Sequence, residues 1–135
     1  MSEQRWSFEV RGTPQPKGSS RAFVRNGRAI VTSANPAVKT WEQTIRFVLQ
    51  EWPLGVLTGP VSLVMVFTLV RPPSISAKRR PQPTVKPDAD KLLRSALDAM
   101  SGIVYRDDAQ VVEATVRKVY GAAPGLKCEI RWTNG

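Results

Sequence analysis

Apolar residues recur at every second position over residues 5–11, where Trp6, Phe8 and Val10 alternate with polar neighbours. A period of two puts alternate side chains on one face, so this stretch predicts a half-buried strand. Residues 12–21 break the alternation with Gly, Pro and Ser, and carry Lys17 and Arg21. Within 22–32, Asn26-Gly27 separates two short apolar runs, a combination that favours a tight hairpin turn. Arg25 and Arg28 then stand at the hairpin tip. The period changes at Val38: Val38, Trp41, Ile45, Val48, Leu49 and Trp52 form one face of a helix over roughly 36–52. Asn35 is the expected N-cap with Pro36 at the first helical position, and Pro53 and Gly55 the stop. The Val-rich run 61–70, VSLVMVFTLV, is too short for a membrane span of about 20 residues and predicts a buried strand. Residues 71–87 hold five prolines and no acid, which rules out regular structure over most of their length. Helical spacing returns at 88–100 with Leu92, Leu93, Ala96, Leu97 and Met100 on one face and Gly102 as the stop. A turn at Arg106-Asp107-Asp108 leads into alternating Val112, Ala114, Val116 and Val119 or Tyr120, and a last strand follows at 126–132 after Pro124-Gly125. The order β–ββ–α–β–loop–α–β–β predicts an α+β fold, one domain over 1–135, with two main helices and a mixed, antiparallel-leaning sheet.

Charge changes this picture from a fold to a partner. The formal net charge is +9 and the isoelectric point about 10.5, which favours nucleic acid. The segment 13–21, the hairpin tip, and Lys78, Arg79, Arg80 and Lys86 on the 71–87 arm are the expected backbone contacts. That arm is long for a structureless loop, and we read it as a mobile segment that orders on DNA. Cys128 is the only cysteine and lies in an apolar-alternating stretch, so a half-buried structural thiol is expected, in a protein suited to a reducing cytosol. The opening residues contain no long apolar run, so neither a signal peptide nor a membrane association is expected. There is no histidine. That excludes Ser–His and Cys–His hydrolases and any His-bearing zinc site. Hydrolysis by this chain has to rest on carboxylates, lysine and a hard metal ion.

All five aspartates fall between residues 88 and 108. Asp88 and Asp90 form an i, i+2 pair at the start of the second helix. Two carboxylates at ~4 Å repel by ~4 kcal/mol at an effective dielectric of ~20. A helix dipole offers at most about 1 kcal/mol per exposed charge. A divalent cation would offset the repulsion, and oxygen ligands suit Mg²⁺, with Mn²⁺ the alternative. Helix capping is the commoner use of an aspartate here, and spacing leaves both readings open. Asp107-Asp108 reads equally as a turn or as a ligand pair of which one member faces the site. Asp98, four residues after Arg94, is expected to make an i, i+4 ion pair with it.

The segment KPDADKLLRSALDAM (86–100) followed by GIVYRDDAQVVE (102–113) resembles the RusA family of Holliday junction resolvases. Basic residue, D-x-D, helix, short gap and D-D-A-Q-V appear in the family's order, specifically over 86–113 and loosely over the rest. The resemblance implies a homodimeric, Mg²⁺-dependent endonuclease that makes paired nicks in four-way DNA, in recombination and repair, in a bacterial cell or a resident phage. It implies catalytic, metal-binding roles for Asp88, Asp90 and Asp108, preferring Asp108 to Asp107. Two departures stand out: the asparagine that follows the D-x-D is Lys91 here, and the family's catalytic lysine is Arg94. Arginine keeps the charge and clamps phosphate, but cannot readily transfer a proton. Lys91 and Arg94 are therefore expected to share that lysine's role. Two other readings are a non-catalytic architectural DNA-binding protein and a metal nuclease for other branched DNA.

Overall fold

A computed structural model describes residues 2–18, 21–32 and 36–133. Four strands form one sheet: β1 (Glu3–Arg11), β4 (Val61–Leu69), β5 (Val111–Tyr120) and β6 (Gly125–Thr133), in the order β1-β6-β4-β5. β6 runs antiparallel to β1 and β4, whereas β4 and β5 are parallel. The parallel pair follows from connectivity: two parallel neighbours need a long crossover, and the arm plus helix α2 (Ala89–Met100) supply it. The expected α+β class and the mixed sheet are both present.

The period of two on β1, β4 and β6 places Phe8, Val10, Leu63, Met65, Phe67, Leu126, Cys128 and Ile130 in one buried layer. Helix α1 (Ala37–Val48) presses Trp41 and Ile45 into it, and α2 adds Leu92, Ala96, Ala99 and Met100. Burial also pushes the Cys128 thiol well above its ordinary value, so it stays protonated and unreactive. Helix α1 stops earlier than its apolar period suggests. Leu49–Glu51 tighten into a single 3-10 turn and Trp52 is extended at φ −57°, ψ 117°, because Pro53 bars its predecessor from helical geometry. Asn35 lies outside the described residues, and Pro36 takes the N-cap position. Trp52 then stacks edge-on between Trp6 and Trp132, at 5.2 and 5.3 Å.

The hairpin stands apart from the main sheet as β2 (Arg21–Arg25) and β3 (Arg28–Thr32). Asn26 and Gly27 have φ of 52° and 74°, the left-handed geometry that this pair tolerates best. Two expected inward positions of β5 (Val111–Tyr120) fail, Val112 and Ala114, both exposed. Val112 is 69% exposed, because β5 skips it opposite Val61 and Ser62 and a bulged residue leaves the ladder.

Candidate functional site

Where the loop after β1 meets the start of α2 there is an open cleft of about 570 Å³, lined by Thr13, Pro14, Gln15, Pro16, Gly18, Lys86, Pro87, Asp88 and Lys91. Hydrogen bonds hold its walls. Gly12 N donates to Pro124 O at 3.1 Å and Lys17 N to Lys91 O at 3.0 Å. Ser95, buried on α2, donates from its hydroxyl to Gln15 O at 2.7 Å. Gly12 has φ 138°, a backbone conformation that favours glycine at this corner.

Asp88 occupies the N-cap of α2 with extended backbone, yet its carboxylate makes no capping hydrogen bond. Its partner is Lys91 Nζ at 3.6 Å. Asp90 sits in the first turn of α2, exposed. The cap position is therefore filled while its carboxylate remains available to another ligand. The segment leading in is pinned from β5: Lys118 Nζ donates to Val85 O at 3.0 Å and to Pro87 O at 2.9 Å. The Lys86–Pro87 peptide is cis.

The two members of the Asp107-Asp108 pair are in contact with each other but differ in their backbone roles. Asp107 Oδ1 accepts from Ala109 N at 2.8 Å and caps a 3-10 turn, Asp108–Gln110. Gln110 closes that turn. Its side-chain oxygen accepts from Arg106 N and Asp107 N at 2.8 and 3.0 Å, and its nitrogen donates to Leu57 O and Gly59 O at 2.8 and 3.0 Å. Asp107 thus caps the backbone as well as meeting the Asp108 carboxyl, and Asp108 is exposed on a braced turn. Asp108 is exposed, but local desolvation and its neighbours Asp107 and Asp98 hold its carboxyl above the usual aspartate value, while Arg94 pulls the other way. A carboxylate disfavoured in this way gains from a bound cation.

Arg94 lies one helical turn beyond Asp90 and its charge reaches Asp108, whereas Lys91 accompanies Asp88. The ion pair expected between Arg94 and Asp98 is not made. Asp98 instead binds Lys17 Nζ at 2.7 Å, and Glu42 of α1 binds the same ammonium at 3.0 Å. Lys17, expected on DNA, is drawn inward because two carboxylates from two helices meet at its loop. Its ammonium is held above the ordinary 10.5, chiefly by the hydrogen bond to Asp98. A raised folded value means that this contribution is complete below pH 10.5 and is lost as the pH rises through the folded value. Lys17→Met should cost about 1 kcal/mol in urea unfolding at pH 7, the pair being partly solvated, and the gap to wild type should close under strongly alkaline conditions.

The other basic residues expected on DNA are spread over the surface. Arg25 and Arg28 face each other across the hairpin tip, exposed. Arg21 opens β2, and its side chain lies outside the described residues. Lys78, Arg79 and Arg80 are exposed on the arm, and Lys86 at its end lines the cleft. The arm has turns of its own. Ser76 Oγ accepts from Lys78 N and Arg79 N at 3.2 and 3.4 Å. Arg71 lies over the Tyr120 ring at 4.3 Å and donates to the carbonyls of Arg80 and Pro81.

Among the described residues no three acidic or cysteine side chains are close enough to hold a metal ion unaided. Asp88, Asp90 and Asp108 fit a hard cation in kind, as exposed oxygen donors without a competing cap bond. Among the described residues they do not form a preassembled cage. Sequence reasoning missed Ser95, Gln110 and Lys118, each of which fixes backbone that carries or faces these acids. For Gln110 a signal existed: glutamine three residues after aspartate is the capping-box spacing.

No helix among the described residues is long and apolar enough to cross a membrane. The chain is 33% identical over 135 residues to the uncharacterized protein YqaN of Bacillus subtilis (strain 168), an alignment covering 92% of this chain and 94% of that one. Residues 12–131 match the family described as Endodeoxyribonuclease RusA. That span includes the cleft loop, the D-x-D, the braced D-D-A-Q turn and Lys118, and the chain belongs to the RusA endodeoxyribonuclease family.

Proposed function

We propose that this protein is a Mg²⁺-dependent, structure-selective endonuclease that resolves four-way DNA junctions by paired symmetric nicks. The observation that carries this reading is the uncapped Asp88 carboxylate at the head of α2, opening on the cleft beside Lys91. Family membership supports the nuclease chemistry. Asp88, Asp90 and Asp108 are the residues that would hold the ion, with Mn²⁺ an effective substitute for Mg²⁺. When bound, such an ion supplies Lewis acidity and lowers the pKa of an attacking water.

The chain's own residues do the rest. Lys91 and Lys86 line the cleft and draw a phosphodiester toward Asp88, and Arg94 offsets phosphate charge on the side of Asp108. Arginine there makes a clamp rather than a proton donor. The hairpin tip and the arm residues Lys78, Arg79 and Arg80 hold backbone outside the cleft, the arm ordering on DNA. Two nicks of opposite strands need two copies of this site related by a two-fold axis, so the working unit is a homodimer. Such a unit carries twice the net charge of +9, and its affinity should fall steeply with salt, with a log–log slope of about −0.9 per phosphate neutralised. Recombination and repair in the bacterial cytoplasm, by a cellular or phage-borne copy, is the setting this activity serves.

A panel of synthetic four-way junction, flap and linear duplex, each with Mg²⁺ and with EDTA, tests the reading. The expected result is paired cleavage of the junction only, and only with Mg²⁺. Preferred cleavage of the flap would move the substrate to other branched DNA. Tight junction binding without cleavage of any member would mark an architectural protein.

A further inference from the structure

We infer that Lys118 is the positioning residue of the D-x-D, acting through backbone rather than on the substrate. Lys118 lies on β5, beside Phe67 of β4, and is half-buried. No carboxylate pairs with its ammonium among the described residues. Its two recorded hydrogen bonds go to main-chain carbonyls, Val85 O at 3.0 Å and Pro87 O at 2.9 Å. A partly buried ammonium without a counter-ion is costly, so its placement calls for a reason.

The reason lies in the atoms it holds. Pro87 O belongs to the peptide plane that contains Asp88 N and Cα, and a peptide plane turns as one rigid unit. Fixing that oxygen fixes the plane on which the first carboxylate is mounted. The plane on the other side of Asp88 is fixed independently, because Leu92 N donates to Asp88 O at 3.1 Å. Asp88 thus stands between two pinned peptides, one held by its own helix and one by a lysine 30 positions downstream. The second carbonyl, Val85 O, anchors the approach to Lys86, which lines the same cleft. The ammonium has three donors, enough to hold both carbonyls at once.

This assignment rests on the reading of Asp88 as a site residue, and its test has an arm that does not depend on that reading. Amide hydrogen exchange of residues 84–91 should quicken about tenfold or more in Lys118→Met, because the local opening loses its two restraints, with β1, β4 and β6 unchanged. Single-turnover cleavage of a four-way junction should fall about 10²-fold with KM within about threefold, the signature of a misplaced catalytic group. Lys118→Arg, which keeps donors for both carbonyls, should restore most of both signals. It also serves as the sole variant, expected to retain protection over 84–91, should Lys118→Met fail to fold. Unchanged exchange over 84–91 in Lys118→Met overturns the assignment, as does lost protection in a folded Lys118→Arg or a loss that appears only in KM. If the wild type cleaves no substrate, the proposed function fails, and the exchange comparison still decides whether Lys118 orders the segment.

Discussion

Asp90→Asn should reduce junction cleavage at least about 10³-fold while leaving junction affinity, measured in Ca²⁺, within about twofold, because the amide keeps size and shape but loses the charge that ligates a hard cation. Asp88→Asn should behave in the same way. Its carboxylate makes no cap bond, so folding loses little with it. Asp108→Asn should lose cleavage too, and should raise the Tm of the metal-free protein. The sign follows from its environment: a carboxyl held above its usual value by desolvation and then by Asp107 and Asp98 is disfavoured as an anion, and stability from that group falls as the pH rises through its folded value. An uncharged amide removes the repulsion. Asp107→Asn is the internal control. Asparagine is as good an N-cap as aspartate, so the bond to Ala109 N can be kept and cleavage should change by less than about tenfold. Equal losses at 107 and 108 would remove the distinction drawn between them.

The second large effect belongs to the basic pair. Lys91→Ala and Arg94→Ala should each slow single-turnover cleavage by about 10- to 10²-fold, and the double variant by about 10³-fold, since removing one cation leaves the other to offset phosphate charge. Arg94→Lys should cost little, because charge rather than proton transfer is what this position supplies. Full activity in both single variants would show that neither replaces the family's lysine.

Periodicity in the sequence was a good guide wherever burial decides conformation. The 3.6-residue stripes of α1 and α2 and the alternation in β1, β4 and β6 each name their element, because one face of each meets the same core, whereas Asn26-Gly27 names its hairpin through the left-handed backbone of the turn. The pattern was weaker at β5. Its bulge at Val112 displaces a residue that alternation would place inside. The helix end at Val48 depended on Pro53, a local veto that overrides the apolar stripe.

The candidate site was legible as a list of acids but not as an arrangement. Spacing could not distinguish an aspartate that caps from one that is free: Asp107 caps and Asp88 does not, though both sit where a cap would. Nor could it show that Asp98 and Glu42 would capture Lys17, since that contact joins a loop to two helices remote in sequence. Net charge counts Lys17 with the unpaired cations, whereas tertiary structure pairs it with two carboxylates. Lys118 was invisible for the opposite reason. Its partners are carbonyls, which every residue has and no sequence pattern marks.

The account depends on Asp88, Asp90 and Asp108 serving one divalent ion although the described residues hold no ready-made cage of three acids. Calorimetric titration of Mn²⁺ into the protein saturated with a non-cleavable four-way junction tests this most directly. The account predicts stoichiometric binding that each of the three single Asn variants weakens by at least about tenfold, one ligand lost in each case, with Asp107→Asn near wild type. Mn²⁺ affinity that is unchanged in any of the three, with junction still bound, would contradict it.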